Sequence, residues 1–262
     1  MTVRTSYEPG TFCWVDYMAH DMEAASAWYA ELFGWRVEAQ DTGGGPPYAM
    51  FYEGDEVVAG IGQMSDEMKG RGVPPMWNDY VSVQDVAATA AKAGALGATV
   101  VVPPMRVMDA GSLAFLVDPV GAHFALWQPG EHHGAQRVNE HGALSWNELV
   151  TAEVERAEAF YGELLGWTFE AMPMPEMDYT VIKNGERDNG GIMPMVGPQW
   201  EGVPPHWMTY FGVDDCDAAA AKAAATGGKV MVPPTDIPPG RFAVLQDPHG
   251  GTFTVIELDA PA

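Results

Sequence analysis

Basic residues are scarce in this sequence: 13 Lys and Arg stand against 36 Asp and Glu, a formal net charge of −23. Such a chain lacks the cationic stripe that nucleic-acid phosphates or an anionic membrane surface require, so neither partner is expected. Long apolar runs are missing too. No stretch approaches the roughly 20 residues of a bilayer-spanning helix, and the opening MTVRTSYEPG has no apolar signal-peptide core. A cytoplasmic location is the expectation. Cysteine is limited to Cys13 and Cys216, at non-equivalent places, which points to neither a disulfide nor a thiolate metal cluster. There is no Gly-x-Ser-x-Gly elbow, no phosphate-binding loop and no matched Cys/His pair. What remains is 262 residues, 47% of them hydrophobic, enough to fill the cores of two ordinary domains.

The chain also writes itself twice. FCWVDYMAHDMEAASAWYAELFGW, from Phe12 to Trp35, returns as LSWNELVTAEVERAEAFYGELLGW, from Leu144 to Trp167, at a constant offset of 132 residues. A match this long at one offset means duplication. Each copy reads as strand, N-capped helix, C-terminal glycine and strand: Asp21 and Glu153 stand at the caps, Gly34 and Gly166 at the stops. Trp28, Tyr29, Phe160 and Tyr161 fall on the apolar helix faces and are read as core.

Hairpins follow at Tyr48 to Met64 and Tyr179 to Met195, and Ser65 to Pro75 reads as a polar loop. At Trp77 and Trp207 the pattern starts afresh, with a strand, an alanine-rich helix and three more strands. Trp77 and Trp207 should face the helices. Paired Asp-Pro-x-Gly turns at Asp118 and Asp247, and paired Pro-Pro steps at Pro103 and Pro233, mark the second units. The fold class is therefore α+β, four βαβββ modules forming two domains, 8–128 and 142–259, joined by a polar linker at 129–141. His132, His133 and His141 lie in that linker and are read as solvated.

Asp21…Trp28-Tyr29…Leu32-Phe33-Gly34-Trp35, its second copy and the Asp-Pro-x-Gly turns resemble the vicinal oxygen chelate superfamily of glyoxalases, bleomycin resistance proteins and extradiol dioxygenases. The tandem members labelled "glyoxalase-like" or "hydroxylase" are the most similar in build. The resemblance implies paired modules whose curved sheets enclose a cleft, often with a divalent metal held by His, Gln or Glu. Carried over by spacing, the ligand positions fall on Trp14, Asn78 and Ala125 in one half and on Trp146, Met208 and Thr254 in the other. Trp, Met and Ala cannot hold such a metal, Asn is a poor ligand and Thr a weak one. No metal and no cofactor are expected.

Strand alternation puts Trp14, Asp16, Asn78, Tyr80, Ala125 and Trp127 on one cleft face. The other receives Trp146, Glu148, His206, Met208, Tyr210, Thr254 and Ile256. A Trp, a carboxyl two residues along and a Tyr opposite suit a flat ligand, through stacking, cation–π attraction and charge pairing. Arg106 and Arg241 sit where loops would close over a cleft. The leading expectation is a metal-independent protein, monomer or homodimer, that sequesters or senses an aromatic and, on the charge argument, cationic small molecule. The enzyme alternative is a glyoxalase-like lyase or an oxygenase of secondary metabolism, with Asp16 and Tyr80, or Glu148 and Tyr210, as base and acid. A third reading has Trp14 and Trp146 simply plugging their clefts.

Overall fold

The computed structural model describes residues 3–174 and 177–259. The first half contains β1 (Phe12–Ala19), α1 (Met22–Phe33), β2 (Arg36–Ala39), β3 (Tyr48–Glu53) and β4 (Glu56–Gln63) as one module. After a short α2 (Asp66–Gly70), the next module has β5 (Met76–Ser82), α3 (Val86–Ala95), β6 (Thr99–Val107), β7 (Gly111–Val117) and β8 (His123–Pro129). The second half repeats this as β9 (Leu144–Thr151), α4 (Val154–Leu165), β10 (Thr168–Pro173), β11 (Asp178–Asn184) and β12 (Arg187–Pro194). It ends with β13 (His206–Gly212), α5 (Cys216–Ala225), β14 (Lys229–Ile237), β15 (Gly240–Gln246) and β16 (Thr252–Leu258).

Modules pair within a half. Antiparallel β1–β5 and β9–β13 contacts fuse each pair into one eight-stranded sheet, ordered β2-β3-β4-β1-β5-β8-β7-β6 and β10-β11-β12-β9-β13-β16-β15-β14. The central β1 is buried on both faces, because one side looks into the cleft and the other onto the helices. The helices start and stop as the sequence dictates. Asp21 Oδ1 accepts from the Ala24 amide at 3.0 Å, and Gly34 ends α1 in the left-handed region at φ 80°. Glu153 departs from this pattern: its side chain makes no cap bond, and Thr151 Oγ1 instead accepts from its amide at 3.1 Å.

The two halves pack back to back. Trp28, Tyr29 and Phe33 of α1 share a core with Phe211 of β13, Ala220 of α5 and Phe253 of β16. Reciprocally, Phe160 and Tyr161 of α4 share one with Val81, Ala90 of α3 and Phe124. Trp77 and Trp207 do face the helices, donating to Tyr29 Oη at 3.0 Å and Tyr161 Oη at 2.9 Å.

Two local expectations are corrected, and one motif finds its place in the sheets. The polar stretch after Met64 is not all loop: Ser65 caps α2, accepting from the Met68 amide at 3.2 Å. The Pro-Pro steps lie inside β6 and β14, which are edge strands where a missing N–H costs no ladder bond. Arg106 and Arg241 stand on the strands β6 and β15 and not in loops, paired with Asp109 and with Asp217 and Asp236.

Candidate functional site

The period-two alternation of β1 and β5 delivers the first carboxyl to the cleft face, where it is buried and fully occupied. Asp16 accepts from Asn78 Nδ2 at 2.8 Å, Tyr80 Oη at 2.9 Å and Tyr48 Oη at 3.2 Å. Trp14 Nε1 in turn donates to Tyr48 Oη at 3.3 Å. Burial pushes the Asp16 carboxyl up, against the three donors that favour its anion.

This cleft is filled from within, and the linker does the filling. The His132 ring stands edge-on to Trp14 with centroids 4.4 Å apart and lies 5.8 Å from Trp127, whose Nε1 donates to the His132 carbonyl at 3.0 Å. Ala135 N donates to Cys13 O at 2.8 Å, and Gln136 Oε1 accepts from Val57 N at 2.9 Å. The solvated-loop expectation is thus wrong for His132. Burial lowers its pKa to about 4, and its Nε2 has no partner among the described residues. Gly134 makes the insertion feasible: at φ 124°, a Cβ there would stand 2.3 Å from the Cys13 carbonyl oxygen.

The second cleft is open. With the groove continuous with it, it measures about 2000 Å³. On its floor Tyr210 Oη donates to Glu148 Oε1 at 2.8 Å, and Trp146 Nε1 donates to Tyr179 Oη at 2.9 Å. Burial raises that carboxyl, against the Tyr210 and Tyr179 hydroxyls that favour its anion. Trp146, His206 and Met208 are half-buried and line the space, while Glu148 and Tyr210 are buried beneath it. His206 Nδ1 is held 2.9 Å from the Pro204 carbonyl. The opening has a residue-level cause. In equivalent places Trp127 is replaced by Ile256 and Asn78 by Met208, and the linker residues Val138 and Asn139 form part of the lining. Methionines 172, 174, 177 and 193 complete the wall, a flexible and polarizable surface.

All ten candidate residues therefore lie on the expected faces, but in two sets of five. Trp14, Asp16, Asn78, Tyr80 and Trp127 are packed away under the linker, whereas Trp146, Glu148, His206, Met208 and Tyr210 surround free space. Tyr48 and Tyr179 were missed by sequence reasoning, which took them only as hairpin strands. Each has a glycine 12 residues on, Gly60 and Gly191, facing its hydroxyl; a Cβ at either would lie 2.0 or 1.9 Å from Tyr Oη. That duplicated Tyr…Gly spacing was the available signal.

A family model described as the glyoxalase/bleomycin resistance protein/dioxygenase superfamily matches residues 11–126 and again 143–255. The chain belongs to this superfamily. Over 260 residues it is 44% identical to CFP32 of Mycobacterium bovis, named as a candidate glyoxylase, covering 98% of each chain. Over 271 residues it is 32% identical to the anthracycline biosynthesis protein DnrV of Streptomyces peucetius, covering 97% of this chain and 95% of that one. The Mn(II)-bound glyoxalase from Novosphingobium aromaticivorans superposes with a TM-score of 0.63 at 17% identity, covering 97% of this chain and 86% of that one. At that identity it speaks for the fold alone.

A divalent metal of the kind that neighbour carries needs converging His, Asp, Glu or Cys donors. Trp146, Met208 and Thr254 hold the positions that superfamily spacing assigns to ligands, and the other half offers Trp14, Asn78 and Ala125. Among the described residues no three His, Cys, Asp or Glu side chains group as a metal would need. The residues present do not fit the metal.

Proposed function

We propose that this superfamily member binds a flat aromatic small molecule in the cleft of its second half, without a divalent metal, to sequester or sense it. The observation that carries the reading is the contrast between twin clefts. One is filled by the chain's own His132, and the other presents Trp146, Tyr210 and a methionine wall to open space. Aromatic walls around a few oriented polar groups are what small-molecule pockets are made of. An aromatic ligand also suits the relatives named for anthracycline biosynthesis.

The test is a titration of planar aromatic compounds, followed by tryptophan fluorescence and calorimetry. Trp146→Ala should weaken binding about tenfold, the scale of one lost stacking contact, while Trp14→Ala should leave affinity unchanged. Equal affinities across wild type and both variants would sink the proposal.

One observation favours a second reading, that of an enzyme. Glu148 is a buried carboxyl with a raised pKa beside two phenols, the setting in which a carboxyl can exchange a proton with substrate. Turnover of a hemithioacetal or a catechol, abolished in Glu148→Gln, would move this reading ahead.

A further inference from the structure

The two floor carboxyls occupy equivalent places, yet their surroundings differ in a way that bears on ligand choice. Asp16 is held by three side-chain donors: Asn78, Tyr80 and Tyr48. Glu148 keeps the Tyr210 donor at 2.8 Å, but the place of Asn78 is taken by Met208, directly opposite Glu148 in the β9–β13 register. A thioether donates no hydrogen bond. Glutamate is also one methylene longer than aspartate, which carries the carboxyl further toward the space above it. The first carboxyl is sealed under the linker, and the second lines the open cleft.

Electrostatics then decides what such a group offers a ligand. Burial is the main influence on the Glu148 carboxyl, opposed by the Tyr210 and Tyr179 hydroxyls, and among the described residues no lysine, arginine or histidine side chain hydrogen-bonds it. A carboxylate out of water without a cation is costly, so burial shifts the group toward its protonated form. The Tyr210 hydroxyl anchors Oε1, and a neutral carboxyl still has one O–H to donate. The lining carries Arg4 and Arg187 as well as Glu8, Glu186 and Asp188. A neutral hydrogen-bond acceptor is the alternative to the cationic ligand that the overall charge suggests.

We infer that the second cleft selects neutral planar aromatic molecules bearing a carbonyl or quinone oxygen, and that the Glu148 carboxyl recognises this oxygen by donating a hydrogen bond to it. The inference rests on the reading of this cleft as an aromatic-binding site. Trp146 and the methionines hold the rings; Glu148 sets the chemical class. Its neighbour Tyr210 is a positioning residue, since its hydroxyl is spent on Glu148 Oε1.

Three probes of similar shape separate the possibilities: dihydroxyanthraquinone, which is neutral with ring carbonyls; anthracene, which has no oxygen; and N-methylacridinium, a cation. Affinities are measured by tryptophan quenching for wild type, Glu148→Gln and Glu148→Leu. Wild type should bind the quinone at least tenfold more tightly than either other probe. Glu148→Gln keeps an N–H donor and should stay within about threefold for the quinone, whereas Glu148→Leu should lose about tenfold or more. Because the wild-type ranking alone is decisive, a Leu variant that fails to fold leaves the test intact. Tighter binding of the acridinium, lost in Glu148→Gln, would overturn the inference and leave the aromatic-binding reading standing. So would a quinone affinity equal to that of anthracene. No binding of any probe to wild type would overturn both.

Discussion

Tyr161 donates its phenolic hydrogen to Asp118 Oδ2 at 2.7 Å across the boundary between the halves, and Tyr29 makes the same 2.7 Å contact to Asp247 in return. The other oxygen, Asp118 Oδ1, accepts from the amides of Val120, Gly121 and Ala122 within its own turn. One carboxyl thus shapes an Asp-Pro-x-Gly turn and anchors the opposite half's helix. Trp207 completes the chain by donating to Tyr161 Oη. The repeated Tyr and the repeated turn are two ends of the same pair of contacts.

Removing one hydroxyl from this boundary should be costly. Tyr161→Phe leaves Asp118 Oδ2 and Trp207 Nε1 buried without their partner, a loss of about 1–3 kcal/mol. Tyr29→Phe should cost a similar amount through Asp247 and Trp77. Urea denaturation followed by fluorescence checks both. Because each contact joins the halves, a single transition is expected in either variant; separate transitions would show that the halves unfold independently.

Asp79 gives the boundary a pH dependence. It is buried on β5, where Oδ1 accepts from Asn147 Nδ2 and from Thr209 Oγ1 at 2.8 Å, and burial raises its pKa to about 7, with the Asp16 charge adding to the rise. The folded state therefore holds a proton that the unfolded chain, titrating near the ordinary carboxyl value of 3.8, releases first. Stability must then fall as pH rises from about 4 to about 7, by an amount on the order of a few kcal/mol. Asp79→Asn keeps an acceptor for both donors and removes the titration. Its stability should be flatter over that window and exceed wild type at pH 8, as chemical denaturation at pH 5 and pH 8 would show.

The filled and open clefts should differ in solvent access to their tryptophans. Trp14 is 3% exposed beneath His132, whereas Trp146 is half-buried at the cavity wall. Acrylamide should quench a component of wild-type emission that disappears in Trp146→Phe and survives in Trp14→Phe. His132→Ala should add a newly quenchable component from Trp14 and Trp127 by withdrawing the ring that covers them. Unchanged quenching in that variant would show that the backbone of the linker, not the imidazole, closes the cleft.

What the sequence disclosed and what it hid have separate physical causes. Trp14, Asp16, Asn78 and Tyr80 could be placed on one face because strand side chains alternate with period two, whatever the tertiary setting. The helix bounds could be read because Asp21, Asp85 and Asp215 cap their helices with their own side chains. The linker was opaque for the opposite reason. Its composition marks a loop, but nothing local tells where a loop packs, and small residues such as Gly134 and Ala135 serve a surface turn or a buried insertion equally well. Tyr48 and Tyr179 stayed hidden because their partners, Gly60 and Gly191, lie on the next strand. A missing side chain there is a cavity filled from afar.

Those glycines make the sharpest pair of substitutions. In Gly191→Ala the new methyl would stand 1.9 Å from Tyr179 Oη, so the ring must leave, and with it goes the Trp146–Tyr179 contact. The second cleft is open, so the displaced ring has room; stability should drop little while affinity for an aromatic ligand falls about tenfold or more. In Gly60→Ala the same clash, at 2.0 Å, falls on Tyr48, whose hydroxyl donates to the buried Asp16 and accepts from the buried Trp14 under the linker. Overpacking of that kind costs about 1–3 kcal/mol, and ligand affinity should be unchanged. Parallel thermal unfolding and fluorescence titration separate the outcomes. If both variants lose stability and neither loses affinity, the second cleft is as closed in solution as the first, and binding must be sought elsewhere on the molecule.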